Sequence, residues 1–223
     1  MIRKIIMFIS LIFLLIFSLP FLLISKINKN INYSKLILKY MCKIANFISG
    51  NEIKVSNLEY LTTNDNYLLV ANHLSFFDII SIMSFSDKPI HFFAKKSLLN
   101  FPIINWWLQT QEPIFIDKND FRNVAKCLKQ GQNYLKNGKN VGIFPQGTRD
   151  TKQIIFNDGI NRLVKNNNTL IIPLTIKNTH LVLEERKNNK KVITEFIFHK
   201  PFYTENINSE NLAKILEEVI KHG

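Results

Sequence analysis

Ile5 to Ser25 carry no charged side chain, and this unbroken apolar run predicts a single helix. At 1.5 Å per residue it would measure about 31 Å, close to the roughly 30 Å hydrocarbon thickness of a bilayer. Arg3 and Lys4 precede the run and Lys26 and Lys29 follow it, so flanking charge sets no orientation. It ends in Leu-Leu-Ile-Ser-Lys without a small-residue cleavage site, which predicts an uncleaved anchor. Pro20 leaves a helix that dips and returns as the alternative to one that spans. A second pattern covers Tyr33 to Ile48. Lys35, Lys39 and Lys43 recur every four residues, with Leu36, Tyr40, Met41, Ile44, Phe47 and Ile48 at the complementary spacing. This predicts a helix in the bilayer interface with its lysines toward headgroups; a helix packed on the following domain is the alternative. Ser49-Gly50 closes it, dividing the chain into a membrane-binding segment, 1–50, and a domain, 51–223.

Beyond residue 50, short apolar runs alternate with helical periodicity, the pattern of an α/β sheet. Tyr67–Ala71, Ile90–Phe93, Pro113–Ile116, Val141–Phe144, Leu170–Ile176 and Val192–Phe198 read as strands. Phe121–Asn137 reads as a helix ended by Gly138. Asn211–Lys221 reads as another, with Leu212, Ile215, Leu216, Val219 and Ile220 on one face. Asn188 to Lys191 reads as a surface turn. His73 follows one strand, Lys95 and Lys96 a second, and Gly147-Thr148-Arg149 a third. If those strands are parallel neighbours, the three groups converge at their carboxyl ends, where open α/β sheets bind ligands.

Charge narrows the partners. Net charge is +12, from 29 Lys+Arg against 17 Asp+Glu, which suits anionic lipid, nucleic acid or a phosphorylated substrate. An ordinary basic surface is the plain alternative. The lack of an aromatic–basic motif, together with the apolar N-terminus, argues against nucleic acid. Cys42 and Cys127 form no CxxC pair, so neither a disulfide scaffold nor a structural metal is expected. There is no Walker A, GxGxxG, GxSxG or HExxH pattern.

Two motifs carry chemistry. In Asn72-His73-Leu-Ser-Phe-Phe-Asp78 the histidine can act as a base and Asp78 can orient it from the first helical turn. The same residues fit a capping box, with Ser75 as N-cap and Asp78 at N3. In Phe144-Pro-Gln146-Gly147-Thr148-Arg149 a glycine turn presents backbone N–H groups, a hydroxyl and a guanidinium, which together suit a phosphate. A surface ion pair of Arg149 is the alternative. Lys95 could add positive charge, and a solvated pair with Lys96 is the plainer reading.

These blocks resemble the glycerolipid acyltransferases, in particular the bacterial 1-acyl-glycerol-3-phosphate acyltransferases. His73 to Asp78, with Asn72, matches the HxxxxD block. Lys95-Lys96-Ser97-Leu98-Leu99, Phe101-Pro102 and Ile114-Phe115-Ile116-Asp117 resemble the second block. Phe144 to Arg149 matches FPEGTR, and Ile172-Pro173-Leu174 the proline-containing fourth block. Phe156 and Gly159 fit a further pair. The resemblance covers roughly residues 35–200. It departs at Gln146, where the family has glutamate, at Lys118, where arginine is usual, and near Asn105, where a glycine is usual.

The resemblance implies an α/β fold with a mixed, largely parallel sheet flanked by helices, behind an N-terminal membrane-binding helical segment. It implies that His73 takes the proton of an acceptor hydroxyl, oriented by Asp78. Gly147, Thr148, Arg149 and Lys95 would hold the acceptor phosphate, with Asn72, Gln146 and Pro173 in support. The donor would be acyl-CoA or acyl carrier protein, the acceptor lysophosphatidate and the product phosphatidate, with no cofactor or metal. The domain would face the cytoplasm at the inner membrane, against an anionic surface. Another lysolipid acceptor, such as a lyso-ornithine lipid, or a non-catalytic basic membrane-docking role, are the alternatives.

Overall fold

The computed structural model describes residues 2–21, 24, 31–165, 167–187, 190–206 and 211–223. Helix α1 (Ile2–Phe17) and helix α2 (Ile31–Ile48) precede the sheet. Strands follow as β1 (Asn51–Ser56), β2 (Tyr67–Ala71), β3 (Ile90–Lys95), β4 (Ile114–Ile116), β5 (Asn140–Ile143), β6 (Leu170–Lys177), β7 (Val192–Phe198) and β8 (Phe202–Tyr203). Between them lie helices α3 (Phe77–Phe85), α4 (Pro102–Gln109), α5 (Phe121–Lys136) and α6 (Gly159–Val164), and α7 (Leu212–Lys221) comes last.

The sheet runs β1-β7-β6-β2-β5-β3-β4, with β8 also on β6. The pairs β6/β2, β2/β5, β5/β3 and β3/β4 are all parallel. Strand β7 runs antiparallel to β6 and parallel to β1. The sheet is therefore mixed and largely parallel, as the alternating pattern suggests, and β2, β5 and β3 are adjacent. Along β2, Leu68 and Val70 join the core cluster shared with α5, α6 and α7. Tyr67, Leu69 and Ala71 join the opposite one, which includes Ile82 of α3. Both faces of β2 are covered, which is why it reads as a continuous apolar run. Pro173 sits in β6 between the residues paired with β8 (Leu170, Ile171) and those paired with β7 (Leu174 to Lys177). At that hand-over its missing N–H costs no ladder bond.

The N-terminal expectation needs correction. Among the described residues no helix is long and apolar enough to cross a membrane. Helix α1 ends at Phe17, and its 16 residues measure about 24 Å. The turn at Ser18 precedes Pro20, whose ring would clash with the carbonyl four residues earlier in a continuing helix. Residues 22, 23 and 25 of the expected run lie outside the described residues, as do 188 and 189 of the expected turn.

The buried Ser18 hydroxyl donates to the Leu15 carbonyl at 2.5 Å and accepts the Trp107 indole N–H of α4 at 2.8 Å. Leu14, Leu15, Leu19, Ile37 and Leu38 pack around Met41 and Trp107, so α1, α2 and α4 share a small core. Helix α2 buries Met41, Cys42, Ala45 and Asn46 and exposes Leu36, Tyr40, Ile44 and Phe47. A closed polar network fastens it: Asn46, Ser81 of α3, Asn51 of β1 and Thr194 of β7 bond one another. Its lysines are not all turned outward: Lys35 and Lys39 are half-buried and Lys43 is exposed. Lys39 pairs with Asp87 of the domain, and Lys43 lies 5.5 Å from the Tyr40 ring centroid. The helix is packed on the domain along one face and apolar toward solvent along another.

Candidate active site

The loop between β2 and α3 holds His73 and Asp78. The His73 Nδ1–H donates to Asp78 Oδ2 at 2.7 Å. The same oxygen accepts the backbone N–H of Leu74 at 2.7 Å and of Ser75 at 3.0 Å. Oδ1 accepts the Thr179 hydroxyl. Every partner of this fully buried carboxyl is a donor, the arrangement an acceptor-only carboxylate requires. Imidazole Nδ1 carries the hydrogen in such a pair, and Nε2 keeps its lone pair for a substrate proton. Capping and catalysis do not compete here: Asp78 takes the Ser75 N–H as in a capping box while holding His73.

The His73 ring rests on a stack of aromatics. Its centroid lies 4.3 Å from that of Phe144, with 20° between planes, and Phe144 lies 5.7 Å from Phe92. Phe92 occupies the space above Gly142, where an added Cβ would come within 2.3 Å of its ring. Gly142 in β5 thus lets β3 set the platform under His73. Asn72 pins the start of the loop to β6, donating to the Ile176 carbonyl at 2.9 Å and accepting its N–H at 2.7 Å.

Gln146 faces this loop. Its Oε1 accepts the His73 backbone N–H at 2.6 Å, and its Nε2 donates to the carbonyls of Gln153 at 2.8 Å and Asp150 at 3.4 Å. The Asp150 N–H in turn donates to the His73 carbonyl at 3.1 Å. An amide satisfies both the donor and the acceptors here, and a carboxylate cannot donate. The departure from glutamate therefore matches the local hydrogen bonding.

Gly147 turns the chain at φ 69°, a conformation that favours glycine. The Lys118 ammonium lies 3.4 Å from where its Cβ would be. Burial, and then the charge of neighbouring Lys95, lower the Lys118 pKa from its ordinary value. The Lys118 ammonium beside this glycine turn, with Lys95 at the end of β3 close enough to disfavour its charge, forms a place where an anion would relieve repulsion. Arg149 lies with its guanidinium 4.0 Å from the Phe76 ring centroid and pairs with Glu184 at 3.2 Å. Both readings of Arg149, ion pair and anion ligand, remain compatible with this arrangement. Pro173 lies within β6 opposite Val70, away from the strand ends. Thr179 and Glu184 were not legible as partners: their contacts to Asp78 and Ser75 cross 101 and 109 residues.

An imidazole held by a buried carboxylate stands beside a basic glycine turn on the adjacent parallel strand of an α/β sheet. The chain belongs to the Acyltransferase family, whose model matches residues 52–177. It is 30% identical over 152 residues to the 1-acyl-sn-glycerol-3-phosphate acyltransferase of Borreliella burgdorferi, covering 66% of this chain and 60% of that one. It is 26% identical over 178 residues to the 1-acyl-sn-glycerol-3-phosphate acyltransferase of Saccharomyces cerevisiae, covering 76% and 58%. The match thus spans about 60% of the length of these relatives. The fold is similar to the crystal structure of the 1-acyl-sn-glycerophosphate (LPA) acyltransferase PlsC from Thermotoga maritima. The TM-score is 0.85 at 26% identity, over 100% of this chain and 95% of that one.

Proposed function

We propose that the protein transfers an acyl chain from a thioester, carried by coenzyme A or acyl carrier protein, to the free hydroxyl of 1-acyl-glycerol-3-phosphate, giving phosphatidate. The observation that carries this reading is the His73–Asp78 pair at 2.7 Å, with Nε2 left for a substrate. His73 Nε2 takes the acceptor hydroxyl proton as that oxygen attacks the thioester carbonyl carbon. The tetrahedral intermediate collapses with cleavage of the C–S bond, and His73 returns the proton to the departing sulfur. Asp78 holds the ring and stabilises its charged form. Gly147, Thr148 and Arg149, with Lys95 and Lys118, receive the acceptor phosphate. Gln146 gives no reason to prefer a different lysolipid, since its polar atoms are engaged by backbone.

The same proposal puts the exposed apolar faces of α1 and α2 in the bilayer interface. Phe13 and Phe17 of α1 are 68% and 63% exposed, and Phe47 of α2 is 86% exposed. Such faces bind an interface without crossing it. The domain would then work at the cytoplasmic face of the inner membrane, where both lipids reside. The test is acyl transfer by detergent-solubilised protein from labelled acyl thioester to lysophosphatidate. Wild type should form phosphatidate, and His73→Ala should lose about 10²–10⁴-fold in turnover. Wild-type turnover in the variant would refute the base assignment, and no product from either donor would refute the reaction.

A further inference from the structure

Glu184 enters the site from the segment that follows β6. Its Oε2 accepts the Ser75 hydroxyl at 2.7 Å, and its Oε1 accepts both the Phe76 backbone N–H at 3.1 Å and Arg149 Nη1 at 3.2 Å. Ser75 and Phe76 lead into α3, whose amino end favours a negative charge. The carboxylate is therefore held by the helix whether or not an arginine is present. Arg149 is then fixed twice, at one edge by Glu184 and over one face by Phe76, 4.0 Å from its ring centroid. Only Nη1 is engaged among the described contacts, and a guanidinium carries five N–H donors in a rigid fork.

We infer that Glu184 is a positioning residue for the acceptor phosphate: it orients Arg149 so that the rest of the fork meets a phosphate already aligned. The inference rests on the reading of Arg149 as a phosphate ligand. A ligand side chain with long, flexible stems loses rotamer freedom on binding, and fixing it beforehand reduces that loss. The competing role is opposite in sign. A carboxylate beside the arginine could shield it from the phosphate, and its removal would then tighten acceptor binding.

Steady-state KM and kcat for lysophosphatidate and for the acyl thioester separate these cases in wild type, Glu184→Ala, Glu184→Gln, Arg149→Ala and the double variant Glu184→Ala/Arg149→Ala. Glu184→Ala should raise the acceptor KM roughly three- to fivefold, the scale of a half-exposed ion pair, with the donor KM unchanged. Glu184→Gln can keep hydrogen bonds to Ser75 and Phe76 while losing the charge, so it should fold as wild type and show a smaller rise. In the Arg149→Ala background the Glu184 substitution should add nothing, since its effect acts through the arginine. An additive rise in the double variant, an unchanged acceptor KM in both Glu184 variants, or a fall in it would overturn the positioning role. An acceptor KM unaffected by Arg149→Ala would instead remove the phosphate reading on which it rests.

Discussion

The carboxyl end of the sheet and the N-terminal helical layer are built on opposite rules. Around Asp78 the polar atoms face inward and are matched one to another: the carboxyl is buried, and four donors from the loop and from Thr179 fill its oxygens. At the end of α1 and within α2 a few polar atoms, Ser18 and Asn46, are turned inward as fasteners, and large apolar side chains face out. The difference teaches where each part gets its order. His73 is fixed by hydrogen bonds the chain supplies to itself, whereas the outer face of the helices leaves apolar area uncovered, an arrangement suited to an external apolar phase.

The strongest way to break the comparison is to charge the outer face. Ile44→Asp with Phe47→Asp should reduce sedimentation with anionic vesicles by more than about 10²-fold, since each large apolar side chain contributes roughly 1.5–3 kcal/mol of burial. Turnover on detergent-dispersed substrates should stay near wild type, because neither side chain reaches His73. Unchanged vesicle binding would place the membrane contact elsewhere.

A second, smaller effect probes the aromatic platform. Gly142→Ala forces Phe92 to move, since the new Cβ would fall 2.3 Å from its ring. The overpacking should cost about 1–3 kcal/mol in thermal or denaturant unfolding. Because Phe92 supports Phe144 under His73, kcat should fall as well. A loss of stability with full kcat would show that the stack is only packing.

The smallest effect is expected at the buried His91 and the half-buried His199, both outside the His73 loop. Burial, with help from Lys139, lowers the pKa of His91 from its ordinary 6.5 despite its bond to the Gln111 carbonyl. Burial and Lys177 lower His199 likewise. A group whose folded pKa is lowered takes up its proton more readily when unfolded. Stability should therefore be fully present above pH 6.5 and decline as pH falls below it. Melting temperatures measured from pH 7.5 to 5.5 should drop, and less so in His91→Gln. A flat profile would mean that neither histidine stays neutral in the folded chain.

Much of the architecture is readable because burial writes itself as apolar pattern: β2 and β6, covered on both faces, read as apolar runs, β7 buries alternate residues, and all three fall within a residue or so of expectation. The elements that escaped notice lack that signal. β1 alternates polar and apolar residues at the sheet edge, β8 has two residues, and α6 has only six, too few to show a helical period. The site was legible where its residues are close in sequence, as with His73 and Asp78. Thr179 and Glu184 come from beyond β6, and only folding brings them to the loop. The partner of Lys39 was illegible for a related reason: Asp87 lies 48 residues away.

The double duty of Asp78 has a consequence for how the molecule can diversify. One oxygen both closes the first turn of α3 and holds His73, so a substitution there disturbs the helix entry and the imidazole together. Arg149 and Glu184 stand partly in solvent, on contacts that carry no part of the core. If the proposed function holds, headgroup preference would drift by small exchanges at the rim, while the reaction would stay locked to the survival of the fold.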